Sequence, residues 1–264
     1  MGGAERSQRK RRQEQQAAPA APVKPTRPPL DRKRIAIAVA VVVAVGAIIA
    51  GFVYGNSVKN ATEGASITVR AVDLKVPVIR DGAVVIVGRD DARVTIDVYE
   101  DFLCPACRAF EEEHGEAVER AIAAGDLRVR YHLVNLLADR SDPVGYSTDA
   151  ATAALLAADA GAFPSFHKSL FADQPAEDAR GWDREQLIAL GAALGVTDPA
   201  FAAGVRSGAL ADVVSAEYER ASTTDSLLRD RGGQRVFATP TVASGGALID
   251  TADANWLAKL LEAR

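Results

Sequence analysis

The stretch "VTIDVYEDFLCPACRAFEEEHG", Val94 to Gly115, decides how the rest of the chain is read. It opens on β-branched and aromatic residues, as a strand bound for a sheet does. It then passes through Cys104, Pro105, Ala106 and Cys107 into a helical pattern. These are the only two cysteines among 264 residues. Residues three apart on a helical turn have Cβ atoms about 5–6 Å apart, within reach of a disulfide after a modest adjustment. Pro105 suits the first helical turn, where its missing N–H is no loss. Cys104 falls at the helix N-terminus, where unpaired N–H groups and the macrodipole favour an anion.

Magnitudes limit what the dipole alone can do. A thiol near pKa 8.5 is only a few per cent thiolate at neutral pH. The dipole contributes about 0.3–1 kcal/mol, roughly 2 at most, which is a unit or so of pKa. A deeper shift at Cys104 therefore calls for hydrogen bonds from backbone N–H groups and from the Cys107 thiol. The expectation is an exposed nucleophile at Cys104 and a resolving thiol at Cys107, one turn deeper.

Other uses of the pair are weaker. As a staple it closes so short a loop that it would contribute about 2 kcal/mol. As a zinc site it offers two ligands, and His114 lies two turns beyond Cys107, roughly 10 Å along the helix. No metal and no organic cofactor are expected.

Outward from this stretch, "VPVIRDGAVVIVG" reads as a hairpin turning at Asp81-Gly82, preceded by the β-rich "SITVRAV". The helix after the cysteines should run to about Ala124, with Phe110, Val118 and Ile122 on one side and Glu111 to Glu113 facing water. "LRVRYHLVNLL" alternates as a strand. Between about 142 and 225, Ala-rich segments with helical spacing form an insertion. "RVFATPTVASGGALID" returns to β character with a Gly245-Gly246 turn, and "ADANWLAKLLEA" closes the chain as a helix. Pro240 inside a β-run cannot donate to the ladder, and a proline kept there reads as a cis peptide after Thr239. The result is an α/β sheet with a helical insertion.

Toward the N-terminus the composition changes. Residues 1–34 hold ten Lys or Arg against three acids, with much Gln, Ala and Pro. They read as a basic disordered cytoplasmic tail. Residues 35–54, "IAIAVAVVVAVGAIIAGFVY", are an uncharged run of twenty, enough as a helix for about 30 Å of hydrocarbon. Arg32, Lys33 and Arg34 abut its start, so the positive-inside rule places the N-terminus in the cytoplasm and the remainder outside. A cleaved signal peptide would have a shorter apolar region, and an uncleaved signal anchor is the reading adopted. Residues 55–65 read as a polar linker and 66–264 as the folded domain. The 210 residues after Tyr54 carry 21 basic and 32 acidic side chains, a balance that excludes nucleic acid as a partner.

The ectodomain resembles the DsbA-like branch of the thioredoxin superfamily, in its membrane-anchored bacterial form. The residues that carry the likeness are "VTIDVYEDFLCPAC", "GAFPSFHKSLFADQP" and "ATPTV". The resemblance implies a thioredoxin-like fold and a dithiol that introduces disulfides into reduced exported proteins. It also implies reoxidation by a membrane quinone-linked partner of the DsbB or VKOR type, and a groove lined by Thr239 and Pro240 that holds a client backbone. Pro105, Ala106 and Asp101 would tune the site. Strong oxidants of the family carry His where this chain has Ala106, which implies a milder oxidant. The family's buried acid, six residues before the first cysteine, is replaced by Val98, with Asp97, Glu100 and Asp101 nearby. A reductase or isomerase would use the same residues, and an anchored peptide-binding module is the alternative without catalysis. Of the histidines, His114 reads as packing, His132 as a strand residue and His167 as a groove border. Phe163, Phe166 and Phe171 read as core, and Trp182 and Trp256 show no functional context.

Overall fold

The computed structural model describes residues 8–12 and 32–263. The chain divides into two units, residues 1–52 and 53–264. Most of the basic tail lies outside the described residues; residues 8–12 are helical. Helix α1 (Arg32–Lys59) is unbroken through the uncharged run and continues over Gly55–Lys59, so the first part of the expected linker is helical instead. Counting only residues whose side chains are described, no helix is long and apolar enough to cross a membrane. The described apolar side chains of α1, such as Val42 and Ile48, are exposed.

The second unit is built on a six-stranded sheet in the order β1-β2-β4-β3-β7-β8. Strands β1 (Val78–Asp81) and β2 (Val84–Val87) form the hairpin expected at Asp81-Gly82. Gly82 turns it with φ +59°, a conformation that L side chains rarely adopt. Strand β3 (Val94–Glu100) is central and pairs parallel with β4 (Leu127–Leu133), and the crossover between them is helix α2 (Pro105–Ala124). Pro105 starts α2, and Gly125, at φ 80°, ends it by donating its N–H to Ala121 and Ile122 carbonyls.

"SITVRAV" is not a strand. Its backbone runs beside the insertion, where the N–H groups of Thr68, Arg70 and Val72 donate to Asp173 Oδ2, Ser169 Oγ and Ser165 Oγ at 2.6, 2.8 and 2.9 Å. Acceptors four residues apart on one helix face satisfy alternate N–H groups of an extended chain, so no partner strand is needed.

The insertion comprises α3 (Tyr146–Asp159), α4 (Phe163–Ala172), α5 (Arg184–Ala193), α6 (Pro199–Ser207) and α7 (Ala211–Thr223). Alanines at 150, 151, 153, 154, 157 and 158 are buried in α3, and their small size lets several helices pack around it. Phe163, Phe166 and Phe171 are core residues, as expected. A small hairpin, β5 (Arg229–Arg231) and β6 (Gln234–Val236), precedes β7 (Thr241–Ser244) and β8 (Ala247–Leu248). Helix α8 (Trp256–Glu262) closes the chain. Its Trp256 packs on Phe110 and His114, with ring centroids 6.2 and 5.8 Å apart, so His114 is a packing residue and Trp256 its partner.

The two faces of the sheet differ. Val85, Val87, Ile96, Val98 and Val129 are 0–1% exposed on one face. On the other, His132 lies between Asp97 (Nε2···Oδ1 2.8 Å) and Glu217 (Nδ1···Oε1 2.6 Å) and stacks on Tyr99. Burial works to raise the Glu217 carboxyl, but hydrogen bonds from Arg220 and His132 outweigh it and hold it at about 2. Both ring nitrogens of His132 are engaged by acids, and its role is structural.

Candidate active site

Strand β3 ends at Glu100, and three residues carry the chain to Cys104, the N-cap of α2 with φ −75° and ψ 116°. The intervening turn is fastened by Asp101, which is fully buried. One carboxylate oxygen accepts from Leu103 N at 2.8 Å and from the Ser147 hydroxyl in a short bond; the other accepts from Leu137 N at 2.8 Å. Asp101 thereby ties the turn before the dithiol to the end of β4 and the start of α3. From the other side, Gln174, just beyond α4, donates to the carbonyls of Phe102 and Cys104 at 3.1 and 3.0 Å. The cysteine turn is thus held in place by the insertion.

Both cysteines are free thiols. Cys107 is wholly buried, and Cys104 retains 7% of its surface. The expectation of an exposed Cys104 is corrected to a recessed sulfur at the bottom of a surface turn, whose rim is the exposed Pro105 and Ala106. Cys104 Sγ lies 3.4 Å from the Thr239 carbonyl oxygen, to which the sulfur donates in its protonated form. The Thr239-Pro240 bond is cis, and a second cis bond joins Asp142 to Pro143. Residues 135 apart in sequence therefore meet at one sulfur.

The two thiols are driven apart electrostatically. The Cys107 thiol, as donor, does most to lower the Cys104 pKa. Burial opposes it, and the Thr239 side chain and the N–H groups of Cys107 and Ala106 add to it, bringing Cys104 down to about 6. Among the described residues the buried Thr239 hydroxyl has no hydrogen-bond partner of ordinary geometry. At neutral pH the thiolate is then the favoured form of Cys104. Burial, the bond to Cys104 and the charges of Cys104 and Glu100 push Cys107 well up. One sulfur is anionic and within reach of the surface; the other is protonated and enclosed.

Sequence reasoning missed a cluster behind the dithiol. Glu100 is 1% exposed, with its Oε2 2.8 Å from His167 Nε2. Glu111 does not face water: its side chain is 16% exposed and lies 4.0 Å from His167 Nδ1. Gly115 permits this, because a Cβ there would stand 3.0 Å from Glu111 Oε2. His167 is buried against Phe102, Tyr131, Phe163 and Phe171 and lines a small cavity of about 20 Å³ rather than an open groove. Burial raises Glu100 to about 8, against a hydrogen bond with Glu111, and the charge of Cys104 adds to the rise. Burial and the charge of Glu100 raise Glu111 well above the carboxylate range, and burial lowers His167. The donor atoms of the three lie within 4.8 Å of one another, a spacing that a cation or a shared proton can bridge. The signal available in the sequence was Glu100, which shares the sheet face of Val98 by strand alternation.

Residues 81–263 match the thioredoxin family. The chain is similar to the reduced form of DsbA from Mycobacterium tuberculosis, at 28% identity and a TM-score of 0.58, covering 69% of this chain and 92% of that one. It is also similar to the disulfide bond oxidoreductase DsbG of the same organism, at 29% identity and a TM-score of 0.58, covering 67% and 85%. The thiol-disulfide oxidoreductase MdbA of Corynebacterium diphtheriae, at 22% identity with a TM-score of 0.58 and coverage of 72% and 95%, shares the fold. In sequence the chain is 33% identical over 198 residues to the serine/threonine-protein kinase PknE of Mycobacterium tuberculosis, covering 72% of this chain. The chain spans about a third of the length of these kinases.

Proposed function

The chain belongs to the thioredoxin family, as a protein disulfide oxidoreductase of the DsbA type, and from that premise we propose that it is a membrane-tethered oxidase of exported proteins. The observation that carries this reading is the pairing of a recessed Cys104 held at about 6 with an enclosed Cys107 held well above its ordinary value.

A disulfide between these sulfurs is attacked at Cys104 by a client thiolate. The Cys104–Cys107 bond breaks, a client–Cys104 bond forms, and Cys107 leaves and takes up a proton. A second client thiolate then attacks the client sulfur of the mixed disulfide, and Cys104 leaves as a stable thiolate. Two electrons pass from the client to the protein. Thr239, whose carbonyl lies against Cys104, and Pro240 next to it would hold the client backbone in extended form. Pro105 and Ala106 offer no hydrogen-bonding side chain to Cys104, which supports a milder oxidant than a histidine there would give.

A tether is supported by the uncharged stretch 35–54 within α1, flanked by Arg32, Lys33 and Arg34. It would leave the basic N-terminus in the cytoplasm and the dithiol outside. Reoxidation by a quinone-linked membrane protein of the DsbB or VKOR type would then complete the cycle.

The direction of electron flow is tested by equilibrating the full-length protein with glutathione. A thiolate at about 6 lies between those of thioredoxin, near 7, and DsbA, near 3.5. The potential should accordingly fall between their values, at about −220 mV. A value at or below thioredoxin's, about −270 mV, would make the protein a reductase.

A further inference from the structure

The chain returns to the dithiol through "LLRDRGGQRVFATP", Leu227 to Pro240, and this stretch reverses the charge of its surroundings. The residues after Tyr54 carry eleven more acidic than basic side chains, yet here Arg229, Arg231 and Arg235 stand against Asp230 alone. Strands β5 and β6 place Arg229 opposite Val236 and Arg231 opposite Gln234, around Gly232 and Gly233 at φ 66° and 88°. Asp230 is turned onto its own hairpin, where its Oδ1 accepts from Gly233 N at 3.0 Å. Arg235 is turned to Asp225, 3.5 Å from its carboxylate.

That leaves Arg229 and Arg231. Alternate residues of a strand share a face, so their side chains leave β5 on one side, about 7 Å apart. Arg229 fixes which side that is: half-buried, it donates from Nη2 to the Pro240 carbonyl at 3.3 Å. Arg231 is exposed. Most Lys and Arg side chains of the second unit pair with an acid; among the described residues, these two do not. A guanidinium offers five N–H donors in a fork that matches a carboxylate, and the Pro240 carbonyl engages only one end of it. The Thr239 carbonyl lies 3.4 Å from Cys104 Sγ, and Pro240 follows directly. The Arg229 guanidinium is therefore within about 10 Å of the sulfur, or roughly three residues of extended chain.

We propose that Arg229 and Arg231 form a subsite for an acidic side chain of the client, an Asp or Glu within about three residues of the reacting cysteine. This rests on the disulfide-exchange reading and gives it a substrate class. A client laid in extended form along Thr239 and Pro240 passes the β5 face, and its carboxylate takes the free N–H groups there. The same patch draws acidic segments toward a domain whose overall charge repels them. The chemistry at sulfur is untouched, because Cys107, Thr239 and Ala106 hold the Cys104 thiolate. The two arginines set which client is exchanged, not how.

The test compares two reduced peptides, each with two cysteines and identical except for Glu or Lys two residues from each cysteine. Each is mixed by stopped flow with the oxidised full-length protein in detergent at low salt. The wild type should oxidise the Glu peptide about tenfold faster than the Lys peptide, as two exposed ion pairs together would give. High salt should reduce that ratio. Arg229→Gln and Arg231→Gln should each lower it about threefold, and Arg229→Glu combined with Arg231→Glu should invert it. Arg120→Gln, which removes a charge from the exposed side of α2, should keep the wild-type ratio. Alkylation of Cys104 should keep its inflection near pH 6 in Arg229→Gln. A wild-type ratio near one would overturn the subsite. So would variants that slow both peptides equally, which would leave Arg229 as a brace for Pro240. An inert wild type would instead remove the exchange reading itself.

Discussion

Cys107→Ser should turn the protein into a covalent trap, with client proteins accumulating on Cys104 as mixed disulfides that non-reducing gels resolve and dithiothreitol releases. In this variant the mixed disulfide forms when the Cys104 thiolate attacks a disulfide of an oxidised client. In the wild type such an adduct is undone at once by Cys107, which sits one turn from Cys104 with its thiol already donating to it. Removing Cys107 closes that exit and leaves release to a second client thiol or to thiols from solution. The lost proximity is worth many orders of magnitude in favourable intramolecular cases; here, against millimolar thiols, resolution should slow on the order of 10³-fold. The Cys104 midpoint should also rise, since its principal hydrogen-bond donor is gone, although serine retains a hydroxyl in its place. Cys104→Ser, by contrast, should trap nothing. Equal trapping by both variants, or by neither, would remove the division of labour between the two sulfurs.

Asp101→Ala should be the most destabilising single change at the site. It strands the N–H groups of Leu103 and Leu137 and the Ser147 hydroxyl, all of which bond the carboxylate from buried or partly buried positions. Each unsatisfied buried polar group costs about 1–3 kcal/mol. Relief of the carboxylate's own burial, which raises its pKa, offsets part of the sum. A net loss of about 3–5 kcal/mol remains, or roughly 10 °C in Tm for a domain of this size. Asp101→Asn keeps an acceptor oxygen and gains a donor, so about half that loss is expected. Thermal unfolding followed by circular dichroism reads both. A loss below about 1 kcal/mol in Asp101→Ala would mean that the turn is held by Gln174 and the helix alone. Asp101 thus reaches the chemistry by positioning Cys104, with both of its carboxylate oxygens already engaged.

Much of this was legible in the sequence. The strand, the cysteines and the helix are consecutive, so local patterning reveals them. Pro240 in a β-run is anomalous enough to be noticed alone. The hairpin at Asp81-Gly82 follows from turn chemistry. What escaped notice depends on contacts between distant segments. "SITVRAV" has strand composition, but its N–H groups go to side chains of α4, which no periodicity foretells. Glu111 stands in a run of three acids that any surface helix could carry. Only Gly115 four residues later, with the acid and histidine facing it across α2, turns it inward. His167, beside Phe166 in sequence, reads as a groove border, whereas its ring fills the core and meets Glu100. The acid expected six residues before Cys104 is absent. Glu100, four before it, faces the same side of the sheet because strand alternation has a period of two.

The most direct measurement is the rate of iodoacetamide alkylation of the reduced full-length protein between pH 4 and 9, resolved by peptide mass spectrometry. Alkylation of Cys104 should rise through an inflection near pH 6, with Cys107 unmodified until the protein unfolds. An inflection near the ordinary thiol value of about 8.5, or alkylation of Cys107 ahead of Cys104, would contradict the account.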